Sequence, residues 1–186
     1  MPNLRKTWWA FRALVLSPTF GRLKMPSYLG PTTFVLGSRK IFIDRRVRIF
    51  PGLRAETHAN GRLFIHEDVT IGQNFLVTCM GDLHIGSGTT ISGGVLVTDI
   101  DHEYRDVNLP VHKQPMIYSR SELGRNCFVG MGARLQAGTV LGDGCIVGSN
   151  AVVRGTFPPH SVLAGVPARI VKRYNPETEK WDRVSR

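Results

Sequence analysis

Residues 123–152, LGRNCF-VGMGAR-LQAGTV-LGDGCI-VGSNAV, form five consecutive groups of six. An aliphatic residue occupies the first position of every group of six, and Val153 continues the series. This period fits neither an α-helix, which repeats every 3.6 residues, nor a single strand, which alternates every second residue. It is typical of a coil of parallel β-structure with flat sides, in which each coil buries its aliphatic residues against the next.

The other positions of these hexads support the same interpretation. Position five is small, which lets a corner of the coil close, and glycine is frequent at positions two and four, where the chain turns. Cys127 and Cys145 fall at position five, so we interpret them as small packing thiols. The three cysteines, which include Cys79, have no CxxC spacing and predict neither a disulfide framework nor a zinc site.

The same ladder runs less regularly through the preceding part of the chain. Its rungs are Ile43, Ile49, Ile65, Ile71, Val77, Ile85, Ile91 and Val97. An excursion from Pro51 to Arg62 and two extra residues at Gly81-Asp82 disturb the period. Between Val97 and Leu123 the ladder stops, and this interruption contains His102.

These patterns predict an all-β protein with three parts. Residues 1–35 form an N-terminal segment, with a short helix around Trp8–Leu16 that serves as a cap or an interfacial element. Residues 36–156 form the β-helix domain, from which residues 98–122 protrude as a loop. Residues 157–186 form a C-terminal tail, whose charged end is compatible with a helix.

Composition and charge limit the class of protein. The chain has 186 residues, of which 42% are hydrophobic and 20% charged, as in a globular domain. No apolar run approaches the roughly 18 residues needed to cross a bilayer, and Arg12 interrupts the first apolar patch. We therefore expect neither a secretion signal nor export, and predict a cytoplasmic protein.

The net charge of +10 indicates a polyanionic partner. Nucleic acid, a membrane surface and a polyanionic small molecule all satisfy that description. No nucleic-acid-binding motif accompanies the basic residues, so we predict no nucleic acid partner.

Three motifs resemble those of the hexapeptide-repeat acyltransferases. Thr98-Asp-Ile-Asp-His102, continuing to Pro110 and Gln114-Pro115, resembles the histidine loop of the galactoside, maltose and surface-polysaccharide O-acetyltransferases. The run from Leu123 to Gly130 resembles their next rung, and Phe157 to Arg169 resembles their closing proline turn. The resemblance covers roughly residues 60–173 and implies a left-handed parallel β-helix.

The resemblance implies that His102 is a general base. A sugar hydroxyl is almost undissociated at neutral pH, so its attack on a thioester needs a base, and histidine is suited to that task. Asp99 is the preferred partner for the other ring nitrogen, and Asp101 stays an alternative. The remaining histidines, His58, His66, His84, His112 and His160, are interpreted as structural, although His112 shares the loop.

The resemblance also implies acetyl-CoA as co-substrate, without a metal. The residues expected to meet the cofactor are Gly130, Met131 and Ala133, with a backbone oxyanion donor among them, and Ser149, Arg154, Ala164, Arg169 and Lys172. Arg173 adds charge to that basic group, and Arg154-Gly155 replaces a threonine–lysine pair of the relatives. Thr78, where related enzymes have asparagine, and Gln114 are expected to contact the acceptor.

The implied activity is O-acetylation of a sugar hydroxyl of a bacterial surface polysaccharide or its precursor. N-acetylation of a nucleotide-linked amino sugar and a non-catalytic scaffold are the alternatives. The family implies a homotrimer, with each site between the β-helices of neighbouring copies. It also implies a saccharide acceptor, either free or linked to a lipid. Trp8, Trp9 and Phe11 with nearby basic residues predict peripheral contact with the inner membrane, a cap over the open end of the β-helix or a trimer contact.

Overall fold

A computed structural model describes residues 4–184 as a parallel β-solenoid of about seven coils. Only 12% of the residues are helical, which confirms the all-β class. The coils have three flat faces, here called A, B and C in the order in which the chain meets them. Each face is a parallel sheet, because successive coils place equivalent strands side by side.

Face A carries the first strand of each coil. Its strands are Arg22–Leu23, Ile41–Ile43, Arg62–Ile65, Asp82–Ile85 and Glu122–Leu123, followed by the second parts of Arg134–Leu141 and Val152–Phe157. Face B carries the second strand of each coil. Its strands are Tyr28–Leu29, Arg48–Ile49, Thr70–Ile71, Thr90–Ile91, Phe128–Val129, Ile146–Val147 and Ser161–Gly165.

Face C closes each coil. Its strands are Thr32–Leu36, Leu53–Thr57, Leu76–Cys79 and Leu96–Thr98, followed by the first parts of Arg134–Leu141 and Val152–Phe157. The seventh coil has no parallel strand on this face, because Ala168–Asn175 turns back antiparallel to Ser161–Gly165. The third face is therefore open at the C-terminal end of the solenoid.

The predicted rungs form the core. In the regular ladder, Leu123 pairs with Leu141 and Val129 with Val147, three hexads along the chain. All fourteen rung aliphatics named from the sequence are at most 2% exposed. Because burying one such side chain stabilises the fold by about 1.5–3 kcal/mol, the stacked rungs supply a large share of the hydrophobic stabilisation.

The fourth position of the hexad lies at a corner of the coil, which explains its preference for glycine and asparagine. Gly132 and Asn150 lie at one corner on successive coils, with φ of 72° and 56°. Asn126 and Gly144 lie at another corner, with φ of 54° and 68°. Glycine and asparagine tolerate this left-handed region, so one such residue per corner lets the chain turn sharply.

The solenoid extends beyond the predicted range 36–156. Its first coil begins at Arg22 and its last ends at Gly165. The predicted excursion from Pro51 to Arg62 contains the regular strand Leu53–Thr57, with Leu53 and Ala55 buried. The first coils therefore contain all three strands. They are longer than 18 residues, so the six-residue period is not visible in their sequence.

Both ends differ in detail from the prediction. The N-terminal helix spans Leu4–Leu16, and a 3-10 turn, Ser17–Thr19, follows it at Pro18. The tail that was compatible with a helix is instead a β-hairpin of Ala168–Asn175 and Lys180–Arg183. The tail adds two strands to the edge of face B, where pairing satisfies backbone groups that a helix would leave open.

Candidate active site

A β-hairpin leaves the solenoid between the fourth and fifth coils and carries His102. Ile100–His102 pairs antiparallel with Met116–Tyr118, and His102 lies opposite Met116. The 3-10 turn Val111–Lys113 shapes the far end of the hairpin. The predicted loop 98–122 is thus an ordered two-stranded element with the candidate base on its first strand.

Asp99 anchors the base of this hairpin to the preceding coil. Its side chain is fully buried, and its two carboxylate oxygens accept hydrogen bonds from the backbone N–H groups of Met80 and Gly81, at 2.8 and 3.0 Å. Burial raises the pKa of the Asp99 carboxyl, while these two amides act in the opposite direction. The Tyr118 ring covers Gly81, where any Cβ would lie 2.1 Å from a ring carbon.

The predicted contact between Asp99 and the His102 ring is not made. Both Asp99 oxygens are used by the backbone, and no side chain among residues 4–184 hydrogen-bonds the His102 imidazole. Asp101 accepts a hydrogen bond from the backbone N–H of His102 at 2.9 Å. Asp101 also forms an ion pair with Arg154 at 3.2 Å, which joins the hairpin to the sixth coil.

His102 opens onto a groove of about 370 Å³ that runs along face C from the second coil to the hairpin. The residues that line it with His102 are Arg54, Glu56, His58, Leu76, Thr78, Thr98, Ile100 and Met116. The structure therefore brings Thr78, a predicted acceptor contact, into the same groove as His102. The Thr78 and Thr98 hydroxyls lie 2.7 Å apart and form one polar wall.

A second histidine in this groove was not predicted from the sequence. His58 Nε2 lies 3.3 Å from a Glu56 carboxylate oxygen, and Arg54 Nε donates to the other oxygen at 2.6 Å. The alternation of outward Arg54, Glu56 and His58 with buried residues signals a strand. This alternation does not show that the strand lies near His102. Glu56 aligns with Thr78 and Thr98 in the structure, but the coils that separate these residues differ in length, so the sequence does not reveal the alignment.

A larger cleft of about 910 Å³ lies at the open end of face C. It is lined by three predicted cofactor residues, Arg154, Ala164 and Arg169, and by the closing turn around Pro167. The Arg154 and Arg169 guanidinium groups supply positive charge there. Since Arg154 also pairs with Asp101, the ion pair links this cleft to the hairpin that carries His102.

The other predicted cofactor residues occupy the corner between faces B and C or the tail. Gly130 packs against the next coil, because a Cβ on it would lie 2.6 Å from the Ser149 backbone nitrogen. The N–H groups of Gly130 and Ala133 donate to the carbonyls of Val147 and Gly130, whereas Met131 is 64% exposed. Lys172 is exposed on the tail hairpin, outside the set of residues that lines the cleft.

Gln114 supports the hairpin and does not line the groove. It is 8% exposed, and its side-chain nitrogen donates to the carbonyls of Asp106 and Leu109, at 2.9 and 2.8 Å. Its side-chain oxygen accepts from the Asp106 backbone at 3.3 Å. In this geometry Gln114 holds the tip of the hairpin together.

The three cysteines are free and buried, as the hexad pattern predicts for Cys127 and Cys145. Burial raises the pKa of the Cys79 thiol to about 12 and that of Cys127 to about 11. A thiol of that pKa is almost wholly protonated at neutral pH, so it is a poor nucleophile. Between residues 4 and 184, no three His, Cys, Asp or Glu side chains cluster as metal ligands, and no helix is long and apolar enough to cross a membrane.

Comparison with known proteins agrees with this architecture. The model of the bacterial transferase hexapeptide family, of six repeats, matches residues 120–155. The putative lipopolysaccharide biosynthesis O-acetyl transferase WbbJ of Escherichia coli (strain K12) is 32% identical over 140 residues. This alignment covers 72% of the present chain and 71% of that protein.

Solved structures share the fold at low sequence identity. AntD, an N-acyltransferase from Bacillus cereus in complex with dTDP and 3-hydroxybutyryl-CoA, superposes with a TM-score of 0.73 at 16% identity, over 90% of each chain. A galactoside acetyltransferase in complex with coenzyme A superposes with a TM-score of 0.61 at 16% identity, over 97% of this chain and 90% of that one. At such identities the likeness establishes the fold alone.

Proposed function

The chain belongs to the bacterial hexapeptide-repeat acyltransferase family, and we propose that it acetylates a sugar hydroxyl of a bacterial surface polysaccharide or its precursor. The observation that carries the proposal is the position of His102 on an anchored hairpin above a polar groove. The relative with 32% identity is named as an O-acetyl transferase of lipopolysaccharide biosynthesis, which favours an oxygen acceptor.

The cleft at the open end of face C fits acetyl-CoA. Coenzyme A carries several phosphates, and the cleft presents the Arg154 and Arg169 guanidinium groups beside apolar residues of the closing turn. The two solved relatives named above were crystallised with coenzyme A or an acyl-CoA. When bound, this co-substrate supplies the acetyl group as a reactive thioester.

The groove on the other side of the hairpin suits a saccharide. Its hydroxyl, imidazole, carboxylate and guanidinium groups, from Thr78, Thr98, His58, Glu56 and Arg54, offer both donors and acceptors to sugar hydroxyls. The acceptor and the cofactor would then approach His102 from opposite sides. The Asp101–Arg154 ion pair fixes the hairpin between the two spaces.

His102 would act as the general base of a direct transfer. One imidazole nitrogen takes the proton of the acceptor hydroxyl as its oxygen attacks the acetyl carbonyl carbon, and the same proton passes to the departing thiolate sulfur. Positioned proton transfer of this kind contributes about 10²–10⁴-fold to the rate. The buried, protonated cysteines support direct transfer without an acyl-enzyme.

We also propose that the enzyme works as a homotrimer in the cytoplasm. In one copy the His102 side chain is exposed and lacks an orienting partner within the described chain, which fits a site completed by a neighbouring copy. Asp99 and Asp101 stay the candidate partners within one chain, and either would have to change its present contacts to reach the imidazole.

The test is acetyl transfer from radiolabelled acetyl-CoA to a panel of bacterial surface saccharides and nucleotide-linked amino sugars. We expect product only with hydroxyl acceptors, as an ester that alkaline hydroxylamine cleaves. An amide product, stable to hydroxylamine, would replace the proposal with N-acetylation. Failure of acetyl-CoA to bind in calorimetry at millimolar concentration would indicate a scaffold.

A further inference from the structure

The N-terminal helix presents an apolar stripe that nothing in the described chain covers. Leu4, Trp8, Phe11 and Val15 recur at intervals of four, three and four residues, which places them on one face of the helix. They are between 54% and 87% exposed, and the Trp8 and Phe11 rings stack with centroids 5.7 Å apart.

The opposite side of the helix packs on the solenoid. Ala13 is fully buried, and the Trp9 ring lies 5.8 Å from Tyr28 and 5.9 Å from Phe50, measured between centroids. The helix therefore already has its intramolecular contact at the first two coils. The stripe is a second face, which the fold does not need for its core.

Charge decides which occupant this face suits. The helix contains three basic residues, Arg5, Lys6 and Arg12, and no aspartate or glutamate. Arg5 and Arg12 flank the stripe along one edge, since each follows a stripe residue by one position. A second copy of this helix would bring like charges together, whereas an anionic lipid surface would attract them.

We propose that this stripe binds the surface of an anionic phospholipid bilayer, with the helix lying in the interface. Trp8 and Phe11 would insert at the level of the headgroups, where aromatic side chains are favoured, and Arg5 at the edge of the stripe would contact lipid phosphates. The enzyme would thereby act on acceptors held at a membrane surface.

Cosedimentation with vesicles tests this proposal. We expect the full chain to bind vesicles with about one-third phosphatidylglycerol in phosphatidylcholine, and to bind pure phosphatidylcholine vesicles at least about tenfold more weakly. Replacing both aromatic side chains, Trp8→Ser with Phe11→Ser, should weaken binding to the anionic vesicles by at least about tenfold. High salt should weaken it as well.

A matched control removes two apolar side chains elsewhere. Tyr104 and Val107, 70% and 90% exposed on the hairpin, are replaced by serine, which should leave vesicle binding unchanged. Far-ultraviolet circular dichroism checks that both double variants stay folded. The proposal is overturned if the full chain ignores anionic vesicles or if the two double variants bind equally well. A loss of oligomer mass in the helix variant, with vesicle binding retained, would assign the stripe to a second copy instead.

Discussion

Asp99 shows how a single buried carboxylate can anchor the hairpin that carries the proposed base. Its oxygens accept from two backbone N–H groups of the preceding coil, while Ser119 N–H donates to its carbonyl at 2.9 Å. Asp99 thereby joins both strands of the hairpin to the solenoid. Since His102 lies three residues further on, Asp99 is a positioning residue in this structure.

Asp99→Ala should lower the free energy of unfolding by about 2–4 kcal/mol, because it leaves two buried N–H groups without an acceptor. Asp101→Ala is the matched control. The Asp101 side chain is 39% exposed, so removal of its ion pair should cost less than about 1 kcal/mol. Urea unfolding of both variants measures the difference, and equal losses would contradict the anchoring role.

His58→Ala should raise the KM for the saccharide acceptor by about three- to tenfold, the value of one or two lost hydrogen bonds. The KM for acetyl-CoA should not change, because His58 lies in the groove and not in the cleft. His66→Ala, which removes a histidine from face A, serves as the control in the same steady-state assay. An unchanged acceptor KM in the His58 variant would remove His58 from the acceptor site.

For single residues, the sequence predicts the position of some in the fold and not of others. His102 is identifiable because it follows the last rung of one ladder, and Cys127 and Cys145 because they occupy a small position of the hexad. The contact made by Asp99 is not predictable, since neighbouring side chains on a strand point to opposite sides and the sequence does not give the register. His58 is missed for the same reason, because its coil has an irregular length.

Among the elements, face A carries a stack of rings on its outer surface. Phe42, Phe64 and His84 follow one another in register on three coils, with centroids 5.0 and 4.5 Å apart. His84 Nδ1 also lies 3.1 Å from His66 Nε2. Burial lowers the pKa of His84 and nearby His66 acts in the same direction, against the opposing effect of Glu122 and Asp82.

This stack predicts acid sensitivity of the fold. Because the pKa of His84 is lower in the folded state than its ordinary value of 6.5, the unfolded chain binds the proton more readily. The free energy of unfolding should therefore decrease as the pH falls from about 6.5 through the lowered pKa. In His84→Phe, which keeps the stacking, this decrease should be smaller between about pH 7 and pH 5 in urea titrations. Identical pH profiles would exclude His84 as a source of the effect.

The regular ladder is predictable as an element because its coils contain three complete hexads, and Leu123 pairs with Leu141 as the period requires. The strand Leu53–Thr57 is not predictable in this way, because the longer coil places its aliphatic residues outside the six-residue period. The tail hairpin is also missed. Its residues are mostly exposed and charged, and pairing with the edge of face B overrides their local preference.

In the molecule as a whole, the hairpin that carries His102 lies between the groove and the cleft. The groove with Thr78 and His58 lies toward the N-terminal coils, and the cleft with Arg169 lies toward the open C-terminal coil. A rigid solenoid keeps these spaces at a fixed separation, because each coil contacts only its neighbours through fully paired strands. Such an arrangement suits a reaction in which two substrates meet at one base.

The assembly is testable in solution. We predict that multi-angle light scattering after size exclusion gives a mass three times that of the 20.7 kDa chain. The family implies the trimer, and the exposed His102, whose ring finds no hydrogen-bonding side chain within the described part of its own chain, fits a site shared between copies. If the protein has the mass of one chain and still transfers acetyl groups, a single copy forms the whole site.

If His102 is the base of acetyl transfer, as proposed, its replacement by alanine removes the group that takes the acceptor proton. In His102→Ala we predict that kcat for acetylation of the acceptor falls by about 10²–10⁴-fold. The dissociation constant for acetyl-CoA, measured by calorimetry on the same preparation, should stay unchanged because His102 does not line the cleft. Undiminished transfer by this variant would contradict the mechanism.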